Sequence, residues 1–377
     1  MESLPELRWG IVATGMIASW FVTDLSLPRE DARARHIIQA VGARSEAKAQ
    51  SFVKSFVPEL EQSGIACYGS YDAVYNDPNV DIVYIATPHA FHKQNCIDAI
   101  NAGKHVLCEK PFTINAREAE EVVEAARQKG FFVMEGMWTR FFPIVEKLKQ
   151  LLHKERVIGE INRMFADFSL DMPLRDLPST SRLRDVALGA GSLLDIGIYS
   201  LTWGLLSLEP PGTSEKPEIL AIQTLSDGVD ISSAVLLQYH DAPGARQGVI
   251  TSSVLHKTDD IFARVEGSKG TLFLSGSGAS MPDRIKVSLK PLNARQDMGD
   301  KNTECVDIPK AEMSFAFQEK CGGKGFYYEA DCIALDIAAG KMESSIMPLN
   351  ETLRVMKMLD LIRKQGGAKF PQDLPYV

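Results

Sequence analysis

Two periods alternate through the first third of the chain, and that alternation limits the folds open to it more than any other feature. Short β-rich runs recur: LRWGIVA (7–13), HIIQAVGA (36–43), VDIVYIA (80–86), KHVLCE (104–109) and FFVME (131–135). Longer helical stretches lie between them, among them HKQNCIDAINAG (92–103) and NAREAEEVVEAARQKG (115–130). Strand–helix alternation of this kind builds a parallel, doubly wound sheet. Gly103 and Gly130 stand just past the last turns of these two helices, and Asn115 is placed to cap the second, with Glu118 three residues on.

The pattern changes near residue 140. From 217 to 291 successive alternating strands are expected at EILAIQTLS (218–226), DISSAVLLQYH (230–240), RQGVITSSVL (246–255), IFARVEG (261–267), GTLFLSG (270–276) and RIKVSLK (284–290). Short polar turns join them, which predicts an antiparallel sheet. The segment 209–217 reads as a surface loop, and the end returns to helix, with stops at Gly340 and Gly366–Gly367 and Asn350 as a cap. At 377 residues the chain exceeds one ordinary core. The expected fold is α/β: a Rossmann-type doubly wound parallel sheet over 1–137, then an α/β domain with a large, mostly antiparallel sheet over 138–377.

Composition narrows the function. A net charge of −8 argues against nucleic-acid binding, which needs clustered Lys and Arg. The opening MESLPELRWGIVATG lacks the charged and apolar regions of a signal peptide, and no apolar run is read as a membrane span. Cysteines 67, 96, 108, 305, 321 and 332 form no C-x-x-C pair and no cluster with His, so reduced thiols in a cytosol and no metal site are expected. Those on apolar runs, such as Cys108, read as core filler.

The run WGIVATGMIA places a strand, a glycine and a helix start in the order of a dinucleotide fingerprint. The three fingerprint positions read Ala13, Gly15 and Ala18. Gly15 lets the backbone approach a pyrophosphate, and the helix opening at Met16 and Ile17 offers free N–H groups to it. Ala13 departs from the pattern and is tolerable at negative φ. The second β-rich run ends in Arg44 and Ser45, where an NAD site would carry an acid. A guanidinium and a hydroxyl suit a 2′-phosphate, so NADP is expected over NAD; an ordinary exposed arginine is the alternative. Thr87, Pro88 and His92 follow the run 80–86, over the carboxyl ends of the strands, where ligands bind. For His92, and for His89 beside it, capping or packing competes with ligand contact.

The run GKHVLCEKPF ends in Glu109 and Lys110 at the same edge of the sheet, with Pro111 stopping the strand. Charge at a strand end also occurs without function. In GAGSLLDIGIYSLTWGLLSL, Leu194, Ile198, Leu201, Leu205 and Leu208 form an apolar stripe, and Asp195 and Tyr199 lie together beside it. A capping Asp and a packing Tyr would also account for that pair. Together the three residues make chemical sense. An ammonium stabilises a phenolate, and a phenolate can take a hydroxyl proton while hydride leaves the same carbon.

CEKPF, EGMWTRFFP and GAGSLLDIGIYSL together resemble the glucose–fructose oxidoreductase/inositol dehydrogenase/MocA (Gfo/Idh/MocA) family, and the tail 325–367 is similar to its dihydrodiol and fungal D-xylose dehydrogenase branch. The resemblance implies catalytic roles for Lys110, Tyr199 and Asp195, a cofactor-side position for Glu109, and a place lining the cofactor or substrate for Trp138 and Arg140. It implies NADP, a small polyhydroxylated substrate and a homodimer formed through the open sheet. The activity it implies is D-xylose oxidation at C1; trans-dihydrodiol oxidation, ketosugar reduction and a non-enzymatic NADP-binding regulator are the alternatives.

Overall fold

The computed structural model describes residues 4–213, 216–240, 245–290, 312–317 and 322–373. Cys305 and Cys321 lie outside them. Strands β1 (Glu6–Val12), β2 (Arg35–Gly42), β3 (Ala66–Tyr68), β4 (Ile82–Ile85), β5 (His105–Glu109) and β6 (Val133–Gly136) form one sheet in the order β3-β2-β1-β4-β5-β6. Every neighbouring pair is parallel. Helices cover both faces of such a sheet, so β4 and β6 are buried along their whole length. The order reverses between β1 and β4, which opens a crevice outside the carboxyl ends of the strands.

Helices α1 (Met16–Leu25), α2 (Glu46–Phe56), α3 (Tyr71–Tyr75), α4 (His92–Asn101) and α5 (Ala116–Lys129) connect these strands. In α5 the Asn115 side chain accepts from the Glu118 N–H at 3.0 Å, and Gly130 ends the helix at φ 73°. Ala119, Val122, Val123 and Ala126 supply its buried face.

After α6 (Pro143–Lys149) comes a second sheet of eight strands: β7 (Ile161–Ser169), β8 (Glu218–Ser226), β9 (Val229–Tyr239), β10 (Arg246–Ser253), β11 (Ile261–Gly267), β12 (Gly270–Gly278), β13 (Met281–Leu289) and β14 (Glu312–Ala316). The order is β14-β13-β12-β11-β7-β10-β9-β8. The sheet is mixed: β7, absent from the strands expected above, inserts at the centre and runs parallel to β10. One face carries α7 (Ile198–Leu208), which packs on β7 and β10 and buries Ile198, Leu201, Leu205 and Leu208. On the other face Leu220, Ile222, Leu236 and Ile261 stand exposed.

Val186–Leu208 is long and apolar enough to span a bilayer by length and composition alone, a test that the core helix of a globular fold also passes. It is a core segment, with 78% of its apolar 18-residue window buried inside the fold. Helix α8 (Phe326–Ala338) packs on α1, and α9 (Leu349–Gly366) packs on α5 and β8. The N-cap of α9 is Pro348 rather than Asn350, whose side chain accepts from Arg127 instead of capping.

Candidate active site

At the nucleotide end, β1 turns into α1 through Ala13 and Gly15. Ala13 takes φ +77°, not the negative value its side chain prefers. The turn holds it there while its N–H donates to the Gly42 carbonyl at 3.1 Å. The strain is about 1 kcal/mol, the ordinary cost of a non-glycine residue in the left-handed region. Gly15 caps α1 with extended backbone, and a Cβ placed on it would meet no atom within 4 Å. The first turn, with Met16 and Ile17, carries no acidic residue, and Met16 is exposed. An open cradle at a helix start whose first turn is free of negative charge fits a dinucleotide pyrophosphate.

Arg44 and Ser45 follow β2 and are exposed. Ser45 caps α2, accepting from the Lys48 N–H at 3.4 Å. Arg44 makes no ion pair among the described residues, and its charge partly offsets the upward push of burial on the Tyr71 phenol. His92 is fully buried and acts as a brace. Its two ring nitrogens lie 2.8 Å from the Thr87 carbonyl and 2.9 Å from the Pro111 carbonyl, tying the end of β4 to the turn after β5. Thr87 Oγ1 also accepts from Asn95 at 3.0 Å, and Pro88 opens the short turn that leads into α4. His89 lies 3.1 Å from the Gly189 carbonyl, joining this edge to the segment before α7.

The Lys110–Pro111 bond is cis. Lys110 Nζ donates to the Asp195 carbonyl at 2.5 Å and faces its carboxylate at 3.4 Å. Asp195 sits in a single π-helical turn, Leu193–Gly197, just before α7. Asp230 secures the start of that turn: its carboxylate accepts from the Leu193 N–H at 2.7 Å and from Ser192 Oγ at 2.8 Å. A side chain at Gly191, where φ is +144°, would collide with Asp230. The Tyr199 hydroxyl accepts from Trp138 Nε1 at 2.8 Å, and Trp138 stacks on Phe326 at 4.1 Å. Lys110 Nζ stands over the Tyr199 ring, 4.9 Å from its centre.

The structure therefore brings Lys110, Asp195, Tyr199, Trp138 and Glu109 to one place. It does not bring Arg140 there. Arg140 pairs with Glu351 of α9 at 3.0 Å, in a network with Arg354 and Glu209.

Burial dominates the electrostatics. It pushes the Tyr199 phenol well above its ordinary range, and the Glu109 charge adds to this. The Lys110 ammonium is hydrogen-bonded to Asp195 and stands over the Tyr199 ring at 4.9 Å. Burial also pushes Asp195 up, but Lys110, Arg182 and His89 outweigh it and hold that carboxyl low. Burial raises Glu109 to about 7, although Tyr84 donates to it at 2.5 Å and Lys110 lies nearby. Glu329 in α8 is fully buried with neither oxygen hydrogen-bonded, and burial pushes it well up. A charged residue on the apolar face shared by Phe326 and Ile333 was the signal for it. Among the described residues no group of His, Cys, Asp and Glu is placed to hold a metal.

Glu109 makes stability depend on pH. Folded, it keeps its proton to about pH 7; unfolded, it releases it near its ordinary 4.5. The linked stability is full below 4.5 and is lost as pH rises through 7. Glu109→Gln removes that loss. The variant should exceed the parent by about 3 kcal/mol at pH 8 and match it at pH 4 in chemical denaturation. Equal stability at pH 8 would contradict this assignment.

A Rossmann-type sheet with an open phosphate cradle, and a lysine at the carboxyl end of β5 that meets an aspartate and a tyrosine from the start of α7, define a dinucleotide-dependent oxidoreductase. The chain belongs to the Gfo/Idh/MocA family: residues 7–137 match its oxidoreductase model with an NAD-binding Rossmann fold, and 145–273 match its C-terminal domain. It is 33% identical to a D-xylose 1-dehydrogenase (NADP(+)) of Hypocrea jecorina, over 97% of this chain and 93% of that one. It is 35% identical to a trans-1,2-dihydrobenzene-1,2-diol dehydrogenase of Sus scrofa, over 97% and 99%. A 3-ketoreductase from Actinomadura kijaniata, solved with NADP and TDP-benzene, shares the fold at TM-score 0.74 and 22% identity, covering 96% of this chain and 98% of that one.

Proposed function

We propose that the protein is an NADP-dependent D-xylose 1-dehydrogenase that yields D-xylono-1,5-lactone. The observation that carries this reading is the meeting of Lys110, Asp195 and Tyr199 outside β5. Residues 1–137 hold NADP, with Gly15 and the start of α1 at the pyrophosphate and Arg44 and Ser45 at the 2′-phosphate. Bound NADP supplies the hydride acceptor. Residues 138–377 form the substrate wall, on which Tyr199, once it has released its own proton to solvent, takes the C1 hydroxyl proton as a phenolate while hydride leaves C1 for NADP. Lys110 fixes the turn that carries Asp195. Likeness of equal extent to the dihydrodiol dehydrogenase supports oxidation of trans-dihydrodiols at the same site as the second reading.

Absorbance at the NADPH band tests both readings, with D-xylose, other pentoses and hexoses, and a trans-dihydrodiol, each with NADP and NAD. The expected result is turnover of D-xylose with NADP preferred. Arg44→Ala should cut that preference by about tenfold, mostly through the KM for NADP. An unchanged preference would remove Arg44 from the cofactor site.

We assign the exposed apolar side chains Leu220, Ile222 and Leu236 to pairing with a second copy of the chain. Sedimentation at twice the chain mass is expected, and a monomer at micromolar concentration would refute it. We place the enzyme in a reducing cytosol, consistent with free thiols at Cys67, Cys96, Cys108 and Cys332.

A further inference from the structure

The Asp195 carboxylate is shared by two cations. Its Oδ1 faces Lys110 Nζ at 3.4 Å and an Arg182 guanidinium nitrogen at 3.5 Å. The two cations differ in setting. The Lys110 side chain is 11% exposed, whereas that of Arg182 is 47% exposed, on the segment that joins β7 to the π-helical turn. That segment is fastened without Arg182. Arg184 donates to the Leu177 carbonyl and pairs with Asp227, the Gly189 carbonyl meets His89, and Gln372 donates to the Ala187 carbonyl. Arg182 is the cation this segment sends to the site, and the proton chemistry at Tyr199 leaves it unused.

A carboxylate oxygen beside a guanidinium forms a fork with one acceptor and one set of donors. A hydroxyl matches both, since it donates to the acid and accepts from the base. A separation of 3.5 Å is long for a charge-assisted bond, which closes to about 2.7–2.9 Å, so the pair has slack to admit an oxygen. Lys110 Nζ lies against both the Asp195 carboxylate and the Tyr199 ring, and the Asp195 charge acts on the Tyr199 phenol, so the two side chains share one wall of the site. A substrate whose reacting hydroxyl sits on Tyr199 presents the hydroxyl of the next carbon to Asp195.

We infer that Arg182 is a specificity-determining residue, which with Asp195 binds the hydroxyl adjacent to the one oxidised and so restricts the site to vicinal diols. This rests on the proposed dehydrogenase reading. It also gives one physical reason why a sugar and a dihydrodiol could share the site, because both carry adjacent hydroxyls.

The test compares kcat/KM for D-xylose and its 2-deoxy analogue in the parent, Arg182→Ala and Arg182→Lys. The parent should prefer D-xylose by about 100-fold, since a site built to bond a hydroxyl rejects the analogue lacking it. Arg182→Ala should lose about 30-fold on D-xylose and under about threefold on the analogue, and Arg182→Lys should recover part of the loss. Equal losses on both sugars, or no loss on either, overturn the inference. If the parent oxidises neither sugar, trans-1,2-dihydrobenzene-1,2-diol and cyclohex-2-en-1-ol replace them, and the same crossed pattern supports it. If the parent oxidises D-xylose and the analogue equally well, the role of Arg182 falls and the dehydrogenase reading stands. If it oxidises none of the four probes, both fall.

Discussion

Replacing Tyr199 with Phe is expected to lower kcat for alcohol oxidation by about 1000-fold while leaving NADPH affinity within about twofold of the parent. The hydroxyl is held for chemistry by an unusual set of neighbours. Trp138 donates to its oxygen at 2.8 Å, so the phenol proton must point elsewhere. Phe168 packs edge-on to the ring at 5.6 Å, and Lys110 covers a face. Phe keeps these packing contacts and removes only the oxygen. What remains is a buried Trp138 N–H without its partner, a cost of about 1–3 kcal/mol in stability that denaturation would report.

The same geometry fixes the sign of the pH dependence. Burial keeps the Tyr199 phenol protonated in the ligand-free protein, and oxidation needs it deprotonated. The parent's kcat/KM for oxidation should therefore rise with pH across 6–9, and the residual rate of Tyr199→Phe should not. A fully active Phe variant, or one that keeps the pH slope, would remove Tyr199 from the proton path.

The two halves of the fold were not equally legible. Parallel strands buried on both faces show as continuous apolar runs, so β1, β2, β4, β5 and β6 stand out. Strand β3 is three residues at an edge, too short to carry a pattern. Strand β7 alternates, but its outward positions include the charged Arg163 and Asp167, and its partners β10 and β11 lie about 80–100 residues away, so neither its existence nor its central place could be read. Lys110, Asp195 and Tyr199 were legible because chemistry limits which residue types can share a strand end and a helix face. Their contacts were not. Spacing suggested an ammonium beside a phenol, and Nζ stands over the Tyr199 ring, but its bond to a backbone carbonyl of the π-helical turn could not be read. A carbonyl leaves no mark in sequence. Arg182 was hidden for the opposite reason, as one arginine among three in the polar stretch RDLPSTSRLRD. Arg140 was drawn off by Glu351, more than 200 residues away.

Lys110→Met and Asp195→Asn, made singly and together, separate the carbonyl contact from the carboxylate contact. Met fills much of the space of the lysine stem and abolishes both. It leaves Asp195 with Arg182 at 3.5 Å as its nearest cation, in a site where the carboxylate side chain is only 14% exposed. Removing one partner of a buried pair typically costs about 3–5 kcal/mol, because the other charge stays behind. Asp195→Asn removes that charge and keeps the Lys110 bond to the carbonyl, so it should destabilise less. The double variant should be no less stable than Lys110→Met alone, a coupling of about 2 kcal/mol. The rates should follow the same order. Lys110→Met should lose about 1000-fold in kcat, Asp195→Asn about 100-fold, and the double variant little more than Lys110→Met, as groups that act as a unit do. Additive losses in both stability and rate would mean that the two side chains act independently, and would sink the anchoring role given to Lys110. Acid gives a second check on the same pair. Asp195 is held below its ordinary range in the parent, so it adds stability above pH 4 that is lost as pH falls through its folded value. Lys110→Met gives up most of that term. Its deficit should be largest at pH 7 and shrink as pH falls from 4 toward the depressed folded value of the parent's Asp195, below which both proteins bury a neutral acid.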